Sequence, residues 1–557
     1  MYCIHKISKR IHVLLTAGAL CLSAGAFAGN NDPLFTNLPT AQLPRFAKDT
    51  FSIAAYGAKA DGITLNTAAI NKAITACSEK GGGVVLIPRG LWVTGPVVMK
   101  NNVNLNLATG AVLQFTGDFD QYLLTEGNWE GLPAVRNQSP ISGVNLENIA
   151  ITGSGIIDGN GDAWRMVKKD KLTATQWKHK IESGGVLSED GRIWYPTEKS
   201  LAGSKVKGAG VIQPGKTVKD YEYIKDYLRP NLMVLIRCKK VLLEGVTFRN
   251  SPAWCLHPLM CEDITMRSIN VQNPWYAQNG DGVDLESCKN VVLENSVFDV
   301  GDDGICIKSG RDEAGRKRGM PTENVLVKGC TVYHAHGGFV IGSEMSGGAK
   351  NLYVTDCSFI GTDIGLRFKT TRGRGGVVEQ IYIKDISMKD IVGEAILFDM
   401  YYEAKDPVVL AGENRTSPKV ELLPVTDATP QFRDFYISGI TCYSAGKGVF
   451  VRGLPEMNIR NISMSNMSIA AKQGIEITEG RDIKMKNVQI NTSDKGALVK
   501  IHNAGNLAFD DIRYQDNEQV FTITGDKSKN IRLQHTAKAK SLSTFGDGAT
   551  DRVLTIN

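Results

Sequence analysis

The chain lacks a hydrophobic run long enough to cross a membrane. Its most apolar stretch, residues 13–22, is about ten residues long, whereas a transmembrane helix needs about 20. Paired CxxC motifs with a partner histidine are missing too, which removes the common zinc and redox arrangements. There is no zinc finger, helix-turn-helix or aromatic RNA-binding signature, so nucleic acid is not an expected partner. Propeller blade motifs and the regular leucines of leucine-rich repeats are also absent. The charge excess is small, +6 over 557 residues; alone it decides little, though a basic balance suits a polyanionic partner.

What is present begins with an export signal. Lys6, Lys9 and Arg10 precede the apolar run, and Ala26-Phe27-Ala28 has the small-x-small form of a cleavage site. Leu20 is a poor residue before a lipoprotein Cys21, which favours cleavage after Ala28. Residues 1–28 are therefore expected to be a signal peptide, residues 29–48 a leader, and the mature protein periplasmic or extracellular. Nine cysteines remain after removing Cys3 and Cys21 from eleven. Cys288, Cys306, Cys330 and Cys357 each sit near a strand-like run, which reads as stacked buried thiols; no disulfide is assigned.

From about residue 100 the sequence repeats one grammar: short β-branched strands, Asn before or within them, and Gly/Asn/Asp turns. KKVLLEGVTFRNS, CEDITMRSINVQN, CKNVVLENSVFDV and TENVLVKGCTVYH are successive examples. A period of roughly 20–35 residues with strands of four to six marks a parallel β-helix, each coil adding one strand to each sheet. Residues 67–77 carry apolar side chains at helical spacing and predict a short N-terminal helix capping the solenoid. We expect a single right-handed parallel β-helix over residues 49–557, all-β, without separable domains. Residues 161–230, with Trp164, Trp177 and Trp194, break the grammar and read as a long loop excursion.

Four segments carry chemistry: NGDGVD (279–284), VGDDGICIKSG (300–310), AHGGFVIGSEMSGG (335–348) and GLRFKTTRGRGG (365–376). Asp281 and Asp302 are 21 residues apart, one coil, and in-register residues of adjacent parallel strands lie about 4.8 Å apart. Discounting a charged insertion at 311–323, Asp303 and His336 are again one coil apart. Arg367 and Lys369, two apart on a strand, point the same way. Each motif alone is most often a structural turn or a wet strand; four at coil spacing make coincidence improbable. Inverting hydrolysis of a glycoside needs a carboxylic acid and a water-activating carboxylate about 6.5–9.5 Å apart. Crowded carboxylates keep one of them protonated, and Arg and Lys suit a uronate carboxylate.

In order and type, these segments resemble the polygalacturonases, family 28 of the glycoside hydrolases, whose signatures NTDG, DD flanked by Gly, GHG and RIK read here NGDG, GDDG, AHGG and RFK. FSIAAYGAKADG (51–62) and SPAWCLHP (251–258) are similar as well. The resemblance implies Asp302 as general acid, Asp281 and Asp303 holding and activating water, and His336 tuning the acid. It implies Arg367, Lys369 and Tyr402 as substrate-binding residues, with Tyr401 the lesser candidate. Gly280, Ala335 and Phe368 depart from the pattern without touching functional side chains. The insertion after GDDG and the Trp-rich excursion look like exo-acting members, whose extra loops wall off one cleft end. The expected substrate is polygalacturonate, with no cofactor or metal, no nucleic acid and no membrane; the chain is expected to be a monomer. Rival readings are a hydrolase of rhamnogalacturonan or xylogalacturonan, a Ca²⁺-dependent pectate lyase, and a catalytically silent carbohydrate-binding β-helix.

Overall fold

The computed structural model describes residues 33–402, 421–515, 517, 519–536 and 542–556. The chain divides into two compact units, residues 1–37 and 38–557. Of the first, the described part holds one 3-10 turn, Pro33–Phe35; the expected signal peptide lies outside the described residues.

The second unit is a parallel β-helix. Fourteen successive parallel strands form one sheet. The site lies on seven of them: β1 (Met233–Ile236), β2 (Leu256–Leu259), β3 (Val283–Glu286), β4 (Asp303–Lys308), β5 (Gly337–Ile341), β6 (Leu366–Lys369) and β7 (Ile391–Asp399). The other strands of each coil pair in parallel into a second, larger sheet system. Parallel connections of this kind take the right-handed crossover. Alternation places every second side chain inside. Ile305, Phe339, Leu366, Ile396, Val449, Ile475, Val499 and Phe521 stand in register on consecutive coils as one buried row. Burying each such side chain stabilises the fold by about 1.5–3 kcal/mol.

The repeated Asn has a physical cause. Asn290, Asn324 and Asn351 occupy one corner of successive coils with φ of 56° each, a left-handed conformation Asn tolerates better than most residues. Their amides form a ladder: Asn324 Nδ2 donates to Asn290 Oδ1 at 3.0 Å, and Asn351 Nδ2 to Asn324 Oδ1 at 2.7 Å. The polar corner thus bends the chain and satisfies itself.

Helix α1 (Thr67–Glu79) packs Ile70, Ala73, Ile74 and Cys77 against the first strands of the solenoid, as the spacing predicts. All nine cysteines after the leader are free and buried. The backbone N–H of Cys238 donates to the Cys261 sulfur one coil on, at 3.3 Å.

The excursion is not a bare loop. It forms α2 (Ala174–Glu182), α3 (Glu198–Ser204) and a 3-10 segment, Val218–Tyr227. Val167, Trp177 and Trp194 make one small core, and Tyr221, Ile224 and Leu228 close another against Leu124 and Val135. The charged insertion folds as α4 (Asp312–Arg318), capped by Gly319 at φ 59°.

Candidate active site

Asp281 precedes β3, Asp302 precedes β4 and Asp303 opens it, His336 precedes β5, and Arg367 and Lys369 lie on β6. One oxygen from each of Asp281, Asp302 and Asp303 lies within 4.8 Å of the others. That bound is on the nearest oxygens rather than on the separation of whole carboxyl groups. A single water can bridge two oxygens at that distance, because each O–H···O bond spans about 2.7 Å. Among the described residues this is also the one grouping with the donor set of a divalent cation site, but Lys369 and Arg367 already supply positive charge there.

The three acids differ in surroundings. Asp303 is 2 % exposed and bound to Lys369 Nζ at 2.7 Å and Arg367 Nη1 at 3.1 Å. Burial opposes ionisation, but these two cations hold its carboxyl far below the usual range. Asp302 has 22 % of its side chain exposed and pairs with His336 Nδ1 at 3.3 Å. Its oxygens accept the backbone N–H groups of Asn279 (3.2 Å) and Asp303 (3.0 Å). Burial raises Asp302, yet the His336 contact and nearby cations leave it below its ordinary value. The hydrogen bond to Asp302, aided by the charges of Asp303 and Asp363, raises the His336 imidazole despite burial.

Asp281 goes the other way. Burial, then the charges of Asp284 and Asp302, push it well above the carboxylate range, and its Oδ1 has no hydrogen-bond partner. Burial likewise pushes Asp284, three residues on, well above the carboxylate range, so Asp281 and Asp284 resist ionisation, whereas the resemblance gives the acid role to Asp302, which is lowered. Arg367 and Lys369 face Asp303 before any ligand. Lys369 is 6 % exposed, while Arg367 keeps 18 % of its side chain open. Tyr402 joins them, its ring centroid 4.9 Å from Lys369 Nζ and 5.8 Å from Arg367 Cζ. Tyr401 is buried against Arg372 and Arg452 instead.

The motif departures fall where they do no chemical harm. Phe368 points inward and packs on Phe398 at 4.6 Å. A Cβ on Gly280 would meet Ala277 O at 2.7 Å, so the tight turn before Asp281 excludes the usual side chain.

Sequence reasoning missed the polar floor beside the cluster. Lys308 pairs with Glu344 at 2.9 Å and Asp284 at 3.6 Å, and Lys308 chiefly holds Glu344 at about 2 against burial. Glu286 accepts from Arg318 at 2.5 Å and meets His257 Nε2 at 2.9 Å. Asp284 and Lys308 belong to quoted motifs, and a second acid three residues after Asp281 was the available signal. Trp254 and His257 lie in SPAWCLHP, where nothing local marks them.

An antiparallel hairpin, Leu124–Trp129 with Leu132–Asn137, arches over this face. At its tip Gly131 O accepts the Arg311 N–H at 3.3 Å, and Glu130 pairs with Arg311 at 3.2 Å. Trp129 stacks on Trp254 with centroids 5.8 Å apart, and the Arg136 guanidinium covers Trp129 at 3.6 Å. Beneath lies a cavity of about 380 Å³, lined by Trp129, Arg136, Asn231 and His257 among others.

Residues 181–439 match the family model "Glycosyl hydrolases family 28", and residues 50–191 match "Rhamnogalacturonase A/epimerase, pectate lyase-like". A probable polygalacturonase of Vitis vinifera is 28 % identical over 75 % of this chain and 74 % of its own length. The exo-poly-alpha-D-galacturonosidase of Dickeya chrysanthemi is 26 % identical over 84 % and 74 %. The crystal structure of the hyperthermoactive exopolygalacturonase of Thermotoga maritima superposes with a TM-score of 0.63 at 28 % identity, covering 81 % of this chain and 94 % of that one. Sequence and architecture agree with the cluster of acids on one face: residues 181–439 form a glycosyl hydrolase family 28 domain, and the chain built around it is a glycoside hydrolase.

Proposed function

We propose that the protein hydrolyses the α-1,4 galacturonosyl bonds of polygalacturonate, with inversion and from chain ends. The observation that carries this reading is the cluster of Asp281, Asp302 and Asp303 within 4.8 Å, bordered by Arg367, Lys369 and Tyr402. Asp302 is the most exposed of the three acids, so it meets the glycosidic oxygen and acts as general acid. Asp303, held ionised by its two cations, and Asp281 hold the water between them. His336, hydrogen-bonded to Asp302, tunes the acid's protonation. Arg367, the more open cation, turns its remaining donors to the C6 carboxylate, and Tyr402 supports both cations from the side.

The upward push on Asp281, against the lowering of Asp302, favours a second assignment, with Asp281 as acid and Asp302 as base. The pH–rate profiles of Asp281→Asn and Asp302→Asn separate the two, since only loss of the acid removes the alkaline limb. Exo action is supported by the hairpin, whose tip is latched to Arg311 and whose Trp129 leans on Trp254 beside the cluster. We further read residues 1–28 as an export signal and the mature chain as monomeric, working in the periplasm or outside the cell; no helix among the described residues is long and apolar enough to cross a membrane.

The test is product analysis on polygalacturonate with a chelator present. Saturated monogalacturonate from the first time point, formed with inverted anomeric configuration and lost in Asp302→Asn, is the expected result. An oligomer ladder removes exo action, and unsaturated products absorbing in the ultraviolet mean a lyase. Release from rhamnogalacturonan or xylogalacturonan alone moves the substrate to another pectic chain. Binding without any turnover leaves the silent binder.

A further inference from the structure

The catalytic turn is held from outside the solenoid. Arg229, the penultimate residue of the excursion, is 9 % exposed. Its Nη1 donates to Pro252 O at 2.9 Å and Gln278 O at 3.0 Å, and its Nη2 to Asn279 Oδ1 at 2.9 Å. One guanidinium thus ties the turn before β2 to the turn before β3. Asn279, at φ 54°, then donates its backbone N–H to Asp302 Oδ2 at 3.2 Å, and Asp281 follows two residues later. Arg229 is itself gripped: its carbonyl accepts Nε and Nη2 of Arg136 at 3.1 and 2.5 Å, and Arg136 lies on Trp129 of the hairpin.

We propose that Arg229 is a positioning residue for hydrolysis. It fixes residues 278–281 so that Asn279 caps Asp302 and Asp281 faces it, and the hairpin holds it through Arg136. This rests on the hydrolase reading above. The fit of side chain to task is geometric. Only a planar fork reaches three acceptors on two turns; an ammonium on a flexible stem does not. Burial pulls the guanidinium down to about 10, with Arg165 adding repulsion, while Tyr227, Glu130 and Asp302 favour its charge. It therefore remains a cation beside Asp302 at neutral pH.

The experiment compares Arg229→Lys, Arg229→Met, Asn279→Gly and the double variant Arg229→Lys/Asn279→Gly. Asn279→Gly keeps the left-handed turn and removes only the acceptor. Measured are kcat and KM on polygalacturonate, kcat/KM against pH, and amide exchange over residues 278–282. Arg229→Lys is expected to lose about 100-fold in kcat, the scale of a misplaced reacting group, with KM and both pH limbs little changed. Arg229→Met adds an upward shift of the alkaline limb, because Asp302, the general acid, loses a neighbouring cation. In the double variant the lysine costs less than it does alone, and exchange over 278–282 quickens in every Arg229 variant. If Arg229→Met does not fold, Arg229→Lys and Asn279→Gly decide the matter. Near-normal kcat in Arg229→Lys, a loss confined to KM, additivity in the double variant, or unchanged exchange overturns the proposal. A wild-type enzyme that releases no saturated galacturonate overturns the parent reading instead, and the exchange measurement then still judges the positioning.

Discussion

Replacing Lys369 with Met puts the electrostatics of the site to the sharpest test. Met fills a similar volume, so the change removes a charge more than it opens a hole. The Lys369 ammonium lies 2.7 Å from Asp303 Oδ2, and the Asp303 side chain is 2 % exposed. At an effective dielectric of about 20, unit charges at that distance attract by roughly 6 kcal/mol, an upper bound of ~4 pK units. Arg367, 3.1 Å from the other oxygen, remains and reduces the shift. Two consequences follow. Asp303 is normally held far below the carboxylate range, so its ion pairs contribute stability that is present above the unfolded pKa and lost as pH falls through the folded one. Leaving it half-paired at pH 7 costs about 3–5 kcal/mol, typical of a broken buried pair. The unit spans residues 38–557, for which the unfolding entropy is about 1.1 kcal/mol/K, so the loss is ~3–5 °C in melting temperature. The penalty shrinks below about pH 4, where the unfolded carboxyl is protonated too. The second consequence is kinetic: the acidic limb of kcat/KM moves upward by at least about one pH unit, because the water-holding carboxylate titrates later. Thermal melts at pH 7 and 3.5 and a pH–rate profile check both. A variant that melts with wild type at pH 7 and keeps the same acidic limb refutes the claim that Lys369 holds Asp303 ionised.

Other outcomes follow from the same geometry. His336→Gln is expected to lose about 10–100-fold in kcat and to move the alkaline limb upward, because Asp302 loses the contact that lowers it; titration of kcat/KM shows whether it does. Protonated His336 stabilises the fold fully below about pH 6.5 and loses that contribution as pH rises through its raised value. Asn324→Ala breaks the ladder on both sides and puts Ala at φ 56°, costing about 1–3 kcal/mol; melting should drop while activity per folded molecule stays constant. Phe339→Ala opens a void in the inner row and costs about 3–5 kcal/mol, read from the shift of the denaturation midpoint.

The amino-acid sequence by itself determined the coil. Alternating β-branched residues and Asn at a fixed period impose an inward row and a left-handed corner, both consequences of local geometry. It also determined part of which residues meet: Asp302 and His336 are one coil apart in register, whereas Arg367, in register with Val340, reaches Asp303 only through its long side chain. What it did not contain is how charge is divided among them. That Asp303 is held ionised by Lys369 and Arg367 while burial pushes Asp281 toward its protonated form depends on distances of a few ångströms, which spacing cannot supply. Nor could it foresee that the Gly- and Lys-rich stretch 161–230 folds around two small cores, or that its Arg229 reaches the catalytic turn. Those contacts join residues far apart in sequence, Arg229 with Asn279 across 50 positions and with Arg136 across 93, with no repeat to align them, so tertiary structure alone decided them.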